Sequence, residues 1–183
     1  MPTAIDSELQ LNGLIDLFYD DRKKLGVFER QSAEQCPPVY RSLLDHTAHM
    51  TVTVEQHHRA LVKVEVLSES QSAGIYQRRI LLRRLTDNRV VQFGIVRLNL
   101  NCLPAALRSQ VVSGSVPLGR ILIESQILRV VQLCDLWKVC CGSELAEHFS
   151  VAEGTVTYGR TARILVDGLS GIELLEIVIP EIH

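Results

Sequence analysis

The sequence predicts an α+β protein: a largely antiparallel sheet of about six strands, with helices on one side or at its ends. Three observations carry this. Strand-type alternation recurs through the middle and end of the chain, as in Val62, Val64 and Val66 separated by Lys63 and Glu65. Turn pairs such as Asp87-Asn88 and Asp167-Gly168 join neighbouring apolar runs directly. No regular βαβ alternation is present, and no Gly-x-Gly-x-x-Gly follows a strand, which disfavours a doubly wound nucleotide fold.

Taken in order, the first element reads as a helix. Ser7 can cap it, and Leu9, Leu14, Ile15, Leu17 and Phe18 give an apolar spacing that is mostly helical. A polar stretch follows to Pro37-Pro38, then a short helix from Tyr40 to His46. Thr51 to Glu55 alternates, with Val52 and Val54 on one face, and is expected as a strand. Strands are also expected at Val62–Val66, Tyr76–Leu85 and Val90–Leu100, the last two forming a hairpin. Cys102–Gln110 reads as a short helix with Pro104 near its first turn. After the loop from Gly114 to Gly119 a short helix covers Arg120–Ser125. Strands complete the chain at Ile127–Lys138, Val156–Val166 and Ile172–Ile179.

The composition narrows the function classes. At 183 residues the chain is long enough for one domain with a substantial core, and 46% apolar residues argue against disorder. A net charge of −2 gives no bulk signal for nucleic acid or membrane. No apolar run approaches the roughly 18–20 residues of a membrane span. Met1–Asp6 lacks the basic start and apolar core of a leader, so a cytoplasmic location is expected. The odd count of five cysteines argues against a disulfide framework, and the lack of a Cys-x-x-Cys pair argues against zinc. Adjacent Cys140-Cys141 reads as small core-lining thiols. His46, His49 and the pair His57-His58 lack partners for a metal-ligand motif and read as surface or loop histidines.

Three features point to a pocket for a small acid. The Pro117-Leu118-Gly119-Arg120 segment enters a helix, where free backbone N–H groups can hold a carboxylate or phosphate. Arg78 and Arg79 are strand neighbours and face opposite ways; Arg78 shares its face with Ile80 and Leu82, so it is the better candidate for burial. A buried guanidinium needs an anion, and a ligand or an internal acid such as Glu176 serves equally well on this pattern. Glu176 lies in the apolar run Leu174–Ile179, where a carboxylate is costly unless paired or functional. Neither a Gly-x-Ser-x-Gly elbow nor a Walker loop is present.

These segments resemble a known family. Val116-Pro117-Leu118-Gly119-Arg120-Ile121-Leu122, followed by Ser125, resembles the Pro-Leu-Gly-Arg region of the chorismate lyases (chorismate pyruvate-lyases). Tyr158-Gly159-Arg160-Thr161-Ala162-Arg163 resembles their aromatic-Gly-Arg strand, and Leu174-Leu175-Glu176-Ile177-Val178-Ile179-Pro180 their last strand with its active-site glutamate. Arg78-Arg79-Ile80-Leu81-Leu82 is similar to the strand that begins with the ligand-binding arginine. Leu43-Leu44 and Met50-Thr51 resemble the region carrying a ligand-contacting methionine. The matches keep one order over residues 43–180. Arg-Arg-Ile-Leu-Leu stands where the family has Arg-Glu-Ile-Leu-Leu, and residues 139–154 look longer than the usual connection, as in a divergent branch.

The resemblance implies a single chorismate-lyase-like domain over residues 1–183, with residues 1–42 a helical or irregular N-terminal part and residues 43–180 the core. It implies a six-stranded antiparallel sheet whose ligand is enclosed beneath helical flaps. It implies a carbon–oxygen lyase, converting chorismate to 4-hydroxybenzoate and pyruvate without metal or organic cofactor, for quinone or phenolic-compound biosynthesis. Arg78 would pair with a carboxylate, and the Leu118 amide would give a second contact. Glu176 would bind the ring hydroxyl or assist proton movement, two roles that stay open. Met50 would line the pocket, with Gly119 and Arg160 in support. The competing expectation is a non-catalytic small-molecule-binding domain, as in the effector domains of some bacterial transcription regulators. Against it, too few residues precede the sheet for a winged DNA-binding domain, and no basic recognition helix is visible. A third possibility is a homologue acting on another aromatic or cyclic acid. The expected partner is a small molecule, with no nucleic acid and no membrane.

Overall fold

The computed structural model describes residues 4–181, so the start of the leader reading, Met1–Thr3, lies outside the described part. Six helices accompany seven strands: α1 (Ala4–Ile15), β1 (Gly26–Gln31), α2 (Pro38–Leu44), α3 (Met50–His58), β2 (Val62–Ser72), β3 (Ile75–Arg84), β4 (Val90–Asn99), α4 (Ala105–Ser113), α5 (Leu118–Glu124), β5 (Arg129–Cys141), α6 (Ser143–Phe149), β6 (Val156–Val166) and β7 (Leu169–Val178). The strands form one sheet in the order β1-β5-β6-β7-β4-β3-β2, with every neighbouring pair antiparallel. Two meanders, β2-β3-β4 and β5-β6-β7, meet where β4 pairs with β7. The hairpin turns are local chemistry. Ala73-Gly74 and Asp167-Gly168 each place two successive residues at positive φ, the geometry that matches the twist of the flanking strands.

The sheet is covered on both faces, and side-chain alternation decides which residue goes where. On one face α1 and α6 set Leu11, Leu14, Ile15, Leu145 and Phe149 over Leu81, Phe93, Ile95, Trp137, Leu175 and Ile177. The other face carries two separate apolar clusters. Tyr40, Leu44, Met50 and Val54, from α2 and α3, pack on Val62, Ile80, Leu82 and Val178. Val111, Leu118, Ile121 and Leu122, from α4 and α5, pack on Val96, Leu98, Ala162, Ile164 and Leu174. Each fully buried side chain of this size contributes about 1.5–3 kcal/mol. The gap between the two clusters lies over the middle of the sheet, and the polar residues of this face stand there.

The α+β class and the antiparallel sheet agree with the sequence, and several local expectations need correction. Thr51–Glu55 is helical, within α3. Met50 and Val54, one turn apart, point into the core, and packing there overrides the β preference of Val52 and Val54. Arg59 ends the helix in the left-handed conformation, its amide bonded to carbonyls of the last turn. Ser7 sits inside α1 rather than capping it. The polar stretch before Pro37-Pro38 holds a seventh strand, β1, on the edge beside β5. Only Phe28 of β1 packs against the core, so it offered no alternation to find. The segment 139–154 contains the end of β5 and all of α6. Helices cover both faces instead of one. Of the vicinal cysteines, Cys141 lines the core, while Cys140 is half-buried with its thiol near the Gly154 carbonyl.

Candidate functional site

The site is a set of cross-strand rows on the central strands, roofed by the starts of two helices. Strand registry defines three rows. Arg78, Val96, Leu174 and Ala162 form the first. Ile80, Gly94, Glu176 and Arg160 form the second. Leu82, Gln92 and Val178 form the third. Most of these line a cavity that also reaches Val64, Val131 and Ile164, with His49, Met50, Thr51, Pro117, Leu118 and Gly119 above. Gly94 leaves the middle of the floor open; a Cβ there would already touch the Ile80 side chain. About 40 Å³ of the cavity is open to the centre of a water molecule, enough for only a few waters.

Arg78 is the unusual group. It is 1% exposed, yet no carboxylate pairs with it among the described residues. Its Nη1 donates to the Val111 carbonyl at 3.2 Å, its guanidinium lies 5.9 Å from the Tyr76 ring centre, and its Nε has no partner. Burial pulls its pKa below the usual arginine value, partly opposed by Tyr76 and Glu69. Arg79, one residue on, faces α1 and α6, where it binds Glu144 and the Tyr19 hydroxyl. Strand parity therefore separates the two arginines as the sequence predicts.

Glu176 is not the partner of Arg78. It accepts a hydrogen bond from Arg160 Nε at 2.8 Å, directly across the β6–β7 ladder. Arg160, also 1% exposed, spends its remaining donors on the α2–α3 connection: the carbonyls of Leu44 at 3.4 Å, His46 at 2.9 Å and Ala48 at 3.2 Å, and His46 Nδ1 at 3.3 Å. The pair is charge-neutral and almost fully bonded, so Arg160 holds Glu176 in place and ties down the segment that leads into α3. His46 also accepts from the Ala48 amide, and its Nε2 lies 2.7 Å from the Leu43 carbonyl. These partners fit a neutral ring with its proton on Nε2. Burial, followed by the Arg160 charge, lowers the His46 pKa. His49 Nε2 accepts from Arg129 at 3.2 Å, and burial, then Arg129 and Arg160, push its pKa down to about 4. Both rings are half-buried in the α2–α3 connection, which agrees with the loop reading of the sequence, and there they pack beside the site.

Met50 begins α3 and Leu118 begins α5, both buried against the cavity. The amides of Val52 and Arg120 already bond to the His49 and Pro117 carbonyls, so only the first two amides of each helix, Met50 and Thr51, Leu118 and Gly119, precede the helical hydrogen-bond ladder. Gly119 makes the close approach possible: a Cβ there would stand 2.7 Å from Thr51 Oγ1 and 3.2 Å from His49 Cβ. Arg120 ties the two helices together through Glu55, whose Oε1 also accepts the Val62 amide at 2.9 Å. The structure thus brings Met50, Arg78, Leu118, Gly119, Arg160 and Glu176 around one cavity. Sequence reasoning missed Gln92, which is 2% exposed, lines the same cavity and has an Oε1 without a partner. An uncharged residue inside the run Val90–Phe93 gave no signal. No group of three or more potential metal ligands stands together among the described residues, and no helix there is long and apolar enough to cross a membrane.

The fold is α+β and chorismate-lyase-like, and solved structures of other proteins share it. No family model matches the chain, and no curated protein matches it. PhnF from Mycobacterium smegmatis aligns at a TM-score of 0.50 with 8% identity, over 73% of this chain and 64% of that one. A possible transcriptional regulator, YydK from Bacillus subtilis, aligns at 0.43 with 10% identity, over 64% and 57%. A GntR-family transcriptional regulator from Enterococcus faecalis aligns at 0.45 with 10% identity, over 66% and 97%. The chain therefore spans less than two thirds of PhnF and of YydK. At these identities the likeness shows the fold alone. The expectation of a carbon–oxygen lyase needs correction: YydK is named a possible transcriptional regulator and the Enterococcus faecalis protein a GntR-family one, none of the three is named a chorismate lyase, and the chemistry implied by the short motifs finds no support. One fold can serve binding as well as catalysis, so it does not decide between them.

Proposed function

We propose that the chain is a non-catalytic binding domain for a small molecule that carries a carboxylate or an equivalent anionic group. The observation that carries this is Arg78, a buried guanidinium that no carboxylate contacts directly among the described residues, Glu69 acting on it from beyond Tyr76, at the edge of a partly enclosed and mostly apolar cavity. Keeping a charge out of water costs several kcal/mol unless an anion accompanies it. Within the described residues the one carboxylate lining the cavity, that of Glu176, is already held by Arg160. A ligand carboxylate would complete Arg78, with charge-assisted hydrogen bonds of about 1.5–3 kcal/mol each. Amides at the start of α5, Leu118 first, would add donors on the same side. Val64, Ile80, Leu82, Val96 and Val131 suit an apolar body for the ligand, and because the free space holds only a few waters, a ring-sized ligand needs the α3–α5 roof to move outward. The fold shared with PhnF is compatible with a sensing role and does not carry it.

Calorimetric titration with cyclohexanecarboxylate and with its neutral amide tests the reading. The acid is expected to bind at least about 10-fold more tightly than the amide, and Arg78→Met is expected to abolish the difference. Equal binding of acid and amide, or undiminished acid binding by Arg78→Met, would contradict it.

A further inference from the structure

We propose that the open edge of β2 is a self-association surface, occupied by a second copy of this chain in antiparallel pairing about a two-fold axis at Val64. The proposal is independent of the ligand reading above.

Topology makes the edge available. β2 ends the strand order, so one side of it has no neighbouring strand. In an antiparallel ladder successive residues turn their main-chain groups to opposite sides. The Leu85 amide donates to the Leu61 carbonyl at 2.8 Å, so Leu61 faces β3. The Val62 amide donates the other way, to Glu55 Oε1 at 2.9 Å. By this alternation Lys63 and Glu65 bond β3, while the N–H and C=O groups of Val64 and Val66 point into the open side. No hydrogen bond among the described residues satisfies those outward groups. An edge of this kind is a template for another strand.

Charge selects the occupant and the register. Residues paired across a ladder carry their side chains on one face, so a two-fold axis normal to the sheet passes through a residue position. An axis at Lys63 sets that lysine against itself, and an axis at Glu65 does the same to the glutamate. An axis at Val64 instead sets Lys63 opposite the partner's Glu65, Glu65 opposite the partner's Lys63, and Val62 opposite the partner's Val66. Like charges directly opposite are destabilising, whereas opposite charges and β-branched pairs are stabilising. The single copy leaves Lys63 in need of such a partner. It is exposed, it stands directly opposite Arg83 in the β2–β3 ladder, and no carboxylate pairs with it among the described residues. One step further, Leu61, 56% exposed, falls towards the partner's Leu67.

The ladder consists of reciprocal bonds between the two Val64 residues and from each Val66 amide to the partner's Val62 carbonyl, while the Val62 amide stays with Glu55. It makes one antiparallel sheet through both copies. Because the axis is normal to that sheet, both cavities lie on the same face, and Val64, which lines the cavity, brings each of them to the seam. A strand from another protein has the same main-chain groups to bond, but the match of Lys63 to Glu65 within one sequence specifies a second copy.

A short edge-to-edge contact belongs to the weaker class of interfaces, so sedimentation equilibrium over about 1–500 µM is the test. The wild type is expected to dimerise. Lys63→Glu and Glu65→Lys, each of which places like charges opposite each other twice, are expected to dimerise at least about 10-fold more weakly. Both positions are exposed, so the reversals leave the fold intact. An equimolar mixture of the two single variants restores opposite charges in the mixed pair and is expected to associate at least about 3-fold more tightly than either variant alone. The chain carrying both substitutions is expected to recover to within about 3-fold of the wild type. A wild type that stays monomeric overturns the proposal and leaves the edge to a strand of another protein. Single variants that dimerise as the wild type does, or a mixture that associates no better than its components, overturn it as well.

Discussion

Arg78 and Arg160 are equally buried, and they differ in what surrounds them. Arg160 has a carboxylate and a set of main-chain carbonyls; Arg78 has one carbonyl, an aromatic ring and an unpaired Nε. The first is a structural clamp and the second is a stored cost, and stability measurements should separate them. Arg160→Met strands Glu176 and releases the segment before α3, so it is expected to lower the unfolding free energy by about 3–5 kcal/mol in urea denaturation. Arg78→Met removes an unpaired charge and is expected to be neutral or stabilising. The half-buried histidines add a pH dependence. The His49 pKa in the folded protein, about 4, lies below its unfolded value near 6.5. The unfolded chain therefore binds more protons between these values, and stability falls as pH drops from about 6.5 towards 4. His58, also held at about 4 by burial and by His57, acts in the same window. His49→Asn is expected to flatten the slope of unfolding free energy against pH in that range, and an unchanged slope would exclude the half-buried neutral ring as its source.

At the scale of elements, the site depends on how closely α3 and α5 approach. Gly119→Ala would drive a methyl group into Thr51 Oγ1, so it is expected to weaken carboxylate binding and cost about 1–3 kcal/mol of stability. Thr51→Ala in the same chain removes the nearest atom and should recover part of both losses, a coupling that a double-mutant cycle in binding and urea unfolding reads directly. The elements also mark what could be read from the sequence. Strand parity placed Arg78 inward and Arg79 outward because alternation is a fixed property of extended backbone. The Arg160–Glu176 pair could not be read this way. The two-residue turn at Asp167-Gly168 alone would set Arg160 opposite Leu175, and a one-residue bulge between Ile164 and Leu165 shifts the ladder so that Glu176 takes that place. Gln92 carried no charge or motif, and only its position in the third row gives it meaning. The segment Thr51–Glu55 was misassigned because β-branched residues sit in a helix that tertiary packing requires.

At the scale of the whole molecule, the sheet separates two tasks. The face under α1 and α6 is a continuous apolar core with the Arg79–Glu144–Tyr19 network at its margin. The opposite face divides its core in two and places the polar rows in the gap. Stability comes from both faces, while the gap keeps the Arg78 charge without a carboxylate and the Gln92 Oε1 without a partner, so ligand binding should report on global unfolding. A ligand at about 100 times its Kd adds about 2.7 kcal/mol to the folded state, a rise of roughly 5–10 °C in a chain of this size. Thermal unfolding of the wild type and Arg78→Met, each with and without saturating cyclohexanecarboxylate, therefore tests the central claim most directly. The account predicts that the acid raises the wild-type midpoint by several degrees and leaves Arg78→Met unmoved, while the variant without ligand unfolds no lower than the wild type. Equal ligand shifts in the two proteins, or an unliganded Arg78→Met that unfolds many degrees below the wild type, would show that Arg78 is a structural residue and not the anchor of an anionic ligand.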